Sequence, residues 1–247
     1  MNRTQSVELT TSQNNALQEF RGIVKEFLPE EYRDNDAFLL RWLVAREFNL
    51  EKAGLMLKNY MEWKEVNMMD KILDWCPPDE MRQVCPFQVI DCDFEGRPVL
   101  IFPWGRWKPE IFTDKFVNIY QKYMDYMINS VIAHIKPPAT QFVIVGDSDG
   151  FTYGHMKYIK ALEVNIEAVK SFEAHYPELL HSAIVINCPR AFTLLYSMLK
   201  PLMSRRTKSK IRMFGSDEAK WKEYFAERIP QNVLPVNYRV NAIPDEL

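Results

Sequence analysis

Apolar residues recur at helical spacing through the first part of the chain and then alternate between strand-like and helical spacing to its end. Ala16, Phe20, Ile23 and Phe27 mark one helix face that stops at Pro29. Residues 36–46 carry Phe38, Leu39, Trp42 and Leu43 on a second helix. Asn49 is placed to cap a third, running through Leu57, Tyr60 and Trp63. Cys76-Pro-Pro-Asp then breaks the pattern. The reading predicts an all-helical module over residues 1–75 and a second domain over 76–247.

In that second part, residues 87–91 and 98–102 read as strands around a turn at Phe94-Glu-Gly-Arg, a hairpin. Thr113 is the expected cap of a long helix with Phe116, Ile119, Tyr120, Tyr123, Met127, Val131 and Ile135 on one side, ended by Pro137-Pro138. Residues 142–145 are wholly apolar, as a strand buried on both faces should be. A helix near 155–172, a strand at 183–186, a helix at 191–203, a strand at 211–214 and a helix capped by Ser216 complete the pattern. Such alternation predicts an α/β sandwich with a mostly parallel, mixed sheet and a hairpin at its edge.

The helix at 191–203 departs from the ordinary surface pattern. Its polar positions, Thr193, Ser197 and Lys200 with Ser204 beyond, form one narrow stripe, and the rest of its circumference is apolar. It is too short to span a bilayer, which takes roughly 20 residues. Five cations follow within eight residues: Arg205, Arg206, Lys208, Lys210 and Arg212. A greasy helix beside a cationic turn points to lipid handling and to contact with an anionic membrane surface without crossing it.

Composition narrows the classes. The 247 residues are 47% hydrophobic and carry a net charge of −2, enough for a large core but too little positive field to hold nucleic acid. No apolar run of ~18 residues occurs, and the amino terminus has no secretory apolar core. Cys76, Cys85, Cys92 and Cys188 form no C-x-x-C pair and read as free thiols, so the chain is expected in the cytoplasm. Eight glycines supply neither G-x-G-x-x-G nor a P-loop, and twelve methionines suit a cavity that adapts to a flexible guest.

Several motifs then fall in order. They are Phe38-Leu-Leu-Arg-Trp-Leu-x-Ala-Arg-x-Phe48, Asp147-Ser-Asp-Gly150, Tyr176-Pro-Glu178, Lys200-Pro-Leu-Met203, Lys210-Ile with Gly215, and Leu234-Pro-x-x-Tyr238. Together, over roughly residues 15 to 240, they resemble the CRAL-TRIO family of lipid-binding and lipid-transfer proteins, including its phosphatidylinositol- and α-tocopherol-transfer groups. The resemblance implies a helical module before an α/β domain enclosing an apolar pocket, with residues 190–203 as a gate. It also implies a monomeric carrier that needs no cofactor beyond its bound lipid. Glu178, Thr207 and Lys210 match residues that contact or support an inositol-phosphate head, and Arg46 joins them as a head-group candidate. Where phosphatidylinositol binders carry a lysine after that arginine, this chain has Glu47, a carboxylate that repels phosphate. Arg239-Val240 replaces the usual Gly-Gly, and no added carboxy-terminal β domain is expected, as in short stand-alone members.

Periodicity assigns the pocket wall to Phe102, Val143, Val145, Ile184 and Ile186 from the sheet and Tyr120, Tyr123, Met124 and Met127 from the long helix. Phe192, Leu195, Met198 and Leu199 are assigned to it from the gate. Trp104 and Trp107 are candidate aromatic contacts. The expected function is non-enzymatic transfer of a phospholipid or of a tocopherol-, retinoid-, carotenoid- or squalene-like molecule. A lipid-loaded regulatory module that presents its ligand to an enzyme is the alternative. A strand ending in Asp147-Ser-Asp149-Gly also admits a magnesium-dependent phosphatase. Against that, no adjacent acidic pair offers the right setting until Asp217-Glu218. Serine-type hydrolysis fares no better, since no G-x-S-x-G exists and His134, His155, His175 and His181 have no serine in a recognisable elbow.

Overall fold

The structure, a computed structural model, describes residues 9–111 and 114–240. The chain forms two compact units, Met1–Asp70 and Lys71–Leu247, so the division falls ahead of the proline pair.

In the first unit, Thr10 opens α1 (Thr11–Val24) with a capping box: its hydroxyl accepts from the Gln13 N–H, and the Gln13 side chain accepts from the Thr10 N–H. The buried face is Leu17, Phe20 and Val24, while Ile23 is exposed, so the apolar stripe lies one position round from the expected one. Short α2 (Glu30–Arg33) follows Pro29. Asn35 caps α3 (Asp36–Ala45), which buries Phe38, Leu39, Trp42 and Leu43. The Asn49 side chain accepts from the Lys52 N–H (2.9 Å) and starts α4 (Leu50–Val66), which adds Ala53, Met56 and Leu57 to the same core.

The second unit contains α5 (Asp79–Val84), a short helix absent from the sequence reading, and the hairpin β1 (Gln88–Cys92) and β2 (Pro98–Phe102). Its turn uses Gly96 at φ +81°, where a side chain would be strained. Then come α6 (Asp114–Ile132), β3 (Phe142–Asp147), α7 (Ile159–His175), β4 (Leu180–Ile186), α8 (Arg190–Leu199), α9 (Arg205–Ser209), β5 (Ile211–Met213) and α10 (Glu218–Ala226). Thr113, the expected cap of α6, lies outside the described residues. Asp217 rather than Ser216 takes the cap position of α10. The segment after α8, read as a bare cationic turn, is the helix α9, opened by Ser204, whose side chain accepts from the Thr207 N–H.

The sheet order is β1-β2-β3-β4-β5, antiparallel at the first pair and parallel thereafter. Register puts Ile144 beside Leu100 and Ala183, and Gly146 beside Phe102 and Val185. The intervening residues Ile101, Val143, Val145, Ile184 and Ile186 point to the other face. There they pack with Trp221 and Phe225 of α10 and with Ile229 and Leu234. One face is therefore a closed core.

Candidate functional site

The opposite face is hollow. Side chains of α6, α7 and α8, with the sheet as floor, line a partly open cavity whose volume is about 210 Å³ for the centre of a water-sized sphere. One water needs only ~10–15 Å³ on that measure. Bulk is missing because the floor carries Gly146 and Ala183, and α7 contributes Ala168. The wall is almost wholly apolar, which disfavours filling by water and favours an apolar guest.

Of the residues the sequence assigned to this wall, Phe102, Tyr120, Met124, Met127, Phe192, Leu195 and Leu199 lie on it, with Trp104 and Trp107. Six do not, and four of these, Val143, Val145, Ile184 and Ile186, belong to the closed core behind the sheet. Both faces of these strands are covered, so alternation named two sets without saying which faced the hollow. Their neighbours Ile144, Gly146, Ala183 and Val185 form the floor instead. Tyr123 also misses the cavity; it is buried elsewhere, its hydroxyl donating to the Cys85 carbonyl (2.7 Å). Met198 is 43% exposed on the outer side of α8. The reading missed the α7 wall, although Val169, Phe172, Glu173 and Tyr176 recur at helical spacing and could have revealed it.

Helix α8 closes one side. Phe192 stands edge-on to Trp104 (ring centroids 5.1 Å) and to Phe151 (5.4 Å). Gly105, next to Trp104, cannot carry a side chain, since a Cβ there would overlap the Asp149 carbonyl. That close approach fixes the loop presenting Trp104. The outer side of α8 exposes Leu194 and Met198. The helix therefore divides its apolar residues between cavity and solvent.

The polar groups on the wall are few. Asp125, 4% exposed, accepts from the Tyr176 hydroxyl (3.0 Å) and from Gln121 Nε2 (3.2 Å) and has no cationic partner among the described residues. Burial pushes its carboxyl up to about 6 against the pull of those two bonds. Asn129 steadies the Tyr176 oxygen (2.9 Å).

The head-group candidates divide. Thr207 touches the cavity. Glu178, held at φ +58°, does not; its carboxylate takes Arg206 Nε at 2.6 Å and Lys210 Nζ at 2.9 Å. Burial alone would raise the Glu178 pKa, but these two cations outweigh it and hold it below the usual range. Lys210 thus faces Glu178 and lies off the cavity wall. Arg46 belongs to the first unit, where its guanidinium donates to the Ala45 carbonyl (3.2 Å). Of the surface cations, Arg206 is engaged with Glu178 and Arg212 lies over the Tyr224 ring (5.1 Å). Arg205 and Lys208 make no ion pair among the described residues.

Asp147, which with Asp149 admitted the phosphatase reading, is tied into the fold by three hydrogen bonds. One oxygen accepts from the Asp149 N–H and Asn187 Nδ2 (2.9 Å each), the other from the Tyr238 hydroxyl (3.0 Å). No cluster of metal-ligating residues occurs among the described residues. Cys85, Cys92 and Cys188 are free, and burial raises each thiol, to about 12 for Cys85 and about 11 for Cys188.

A helical unit followed by a mixed five-stranded sheet, hollow on one face and solid on the other, defines the class as an α/β fold enclosing an apolar pocket. Family comparison gives it a name: the CRAL/TRIO domain model matches residues 83–239, the CRAL/TRIO N-terminal domain model matches residues 16–59, and the chain belongs to that family. Among similar proteins are the CRAL-TRIO domain-containing protein T23G5.2 of Caenorhabditis elegans (26% identical over 81% of this chain and 29% of that protein) and Protein ctg-1 of the same organism (22%, 95% and 61%). Protein real-time of Aedes aegypti is 25% identical over 85% of this chain and 34% of that protein. The chain thus spans less than two thirds of these relatives' lengths. The crystal structure of Sfh5 superposes with a TM-score of 0.73 over 96% of each chain at 17% identity, a likeness of fold. The family is in general one of lipid-binding and transfer proteins. No helix among the described residues is long and apolar enough to cross a membrane.

Proposed function

We propose that this chain binds one hydrophobic lipid in the cavity between α6, α7 and α8 and ferries it between membranes without covalent chemistry. The observation that carries this reading is a hollow lined almost entirely by apolar side chains and flanked by a helix that also exposes Leu194 and Met198 on its outer side. Burying methylenes is worth ~0.8 kcal/mol each, so bare transfer of a long acyl chain through water is slow, and a carrier that shields the chain removes that obstacle. In water, α8 keeps Phe192, Leu195 and Leu199 inside. At a bilayer, Leu194 and Met198 meet the interfacial layer first, and the inner residues find a comparable apolar environment when the helix swings out. Arg205 and Lys208 supply attraction to anionic lipid heads. The chain would act as a cytoplasmic monomer in transient contact with membranes, needing no nucleic acid and no cofactor besides its lipid.

The test is transfer of a fluorescent lipid between donor and acceptor vesicles with the purified protein alone. Phe192→Asp with Leu195→Asp should abolish transfer. Leu194→Asp with Met198→Asp, at exposed positions that leave folding intact, should slow it at least about tenfold. Wild-type rates in the surface variant would overturn the gate. Binding without partner-free transfer would favour the regulatory module.

A further inference from the structure

The polar corner of the cavity contains acceptors and no cation. Gln121 gives one of its two amide N–H groups to Asp125, and the Tyr176 hydroxyl proton goes to the same carboxylate. Gln121 Oε1 is left covered with no hydrogen-bond partner, and so is one oxygen of Glu173 on the facing helix α7. No lysine, arginine or histidine lines this cavity among the described residues. Arg206 and Lys210, which flank the lining residue Thr207 in sequence, hold the Glu178 carboxylate. Two carboxyl groups with no positive charge between them repel an anion in a medium of low dielectric, whereas unpaired buried acceptors favour a donor.

We propose that the cavity selects a lipid whose polar end is an uncharged hydroxyl, donated into the corner formed by Gln121, Asp125 and Glu173, and that it rejects a phosphate head there. This rests on the carrier reading and narrows the two guest classes left open by the sequence. Gln121 and Glu173 are then the specificity-determining positions, and neither is prominent in the sequence because each looks like an ordinary solvent-facing helix residue.

A matched set of single-chain probes isolates the head: hexadecanol, its methyl ether and hexadecyl phosphate, titrated into the full chain with the fluorescence of Trp104 and Trp107 as readout and native mass spectrometry for stoichiometry. Hexadecanol should bind roughly three- to tenfold tighter than the ether, the span of one neutral hydrogen bond, and more than about tenfold tighter than the phosphate. Gln121→Leu and, separately, Glu173→Leu should weaken the alcohol toward the ether while leaving ether affinity unchanged. A common loss for all three probes in either variant would report damaged packing, and the other variant then decides. Equal binding of alcohol and ether, or phosphate binding as tightly as alcohol, overturns the selection while leaving a lipid carrier standing. Failure of all three probes to bind would remove the carrier reading and this proposal with it.

Discussion

Asp125 and His175 titrate over the same range with opposite consequences. Burial raises the Asp125 carboxyl from 3.8 to about 6, so the folded chain holds that proton more tightly, and stability present at low pH is lost as pH rises through about 6. Burial lowers His175 from 6.5 to about 4, so its contribution is present above 6.5 and is lost as pH falls toward 4. The two slopes oppose each other between pH 4 and 6.5. Relative to wild type, Asp125→Asn should make stability climb more steeply with pH across that window, and His175→Gln should make it fall; urea unfolding at pH 4, 5, 6 and 7 reads both. Ala183 matters for a different reason: it keeps the floor low. Ala183→Phe should fill part of the hollow and reduce bound lipid several-fold in native mass spectrometry, with far-ultraviolet circular dichroism unchanged. Residues such as Phe102 and Phe192 were legible as pocket wall because they are large, apolar and at the right spacing. Gly146 and Ala183 were not, because a hollow is marked by the side chains that are missing.

At the scale of elements, the Glu178 pair ties the turn before β4 to α9. Glu178 and Lys210 are largely buried and Arg206 half exposed, with side-chain exposures of 13%, 18% and 51%. Glu178→Gln should destabilise the chain by about 1–3 kcal/mol, measured by urea unfolding at pH 7. The difference should shrink as pH falls through the depressed pKa of Glu178, where the wild-type carboxylate is itself protonated. The same substitution removes one negative charge beside Arg206 and Lys210, so binding to acidic vesicles should strengthen. Most helices and strands were readable from caps and periodicity: Asn49 opens α4 and β2 has its expected bounds. The misses have local causes. The buried stripe of α1 was displaced because Ala16–Ile23 and Leu17–Val24 are adjacent rows on one helix, and only packing against the rest of the first unit chooses between them. Helix α9 was hidden because charge dominated its sequence.

For the whole molecule, the carrier reading predicts binding to acidic vesicles that weakens as salt rises. Arg205→Glu with Lys208→Glu should reduce it by roughly tenfold or more, at about 1 kcal/mol for each cation near an anionic surface; vesicle sedimentation at low and physiological salt measures this, and salt-independent binding would argue against the surface role. The sequence by itself determined the helical first unit, the mixed sheet, the greasy helix and the family, because caps, turn residues and period are local properties that neighbours in the chain express together. Only the tertiary structure decided which side of the sheet is hollow, that Lys210 turns to Glu178 instead of the cavity, and that Gln121, Asp125 and Glu173 line the same cavity. The physical reason is that a strand covered on both sides has no polar face to orient it. Partners such as Glu178 with Lys210, or Asp125 with Tyr176, lie tens of residues apart and meet only when the sheet and helices have packed.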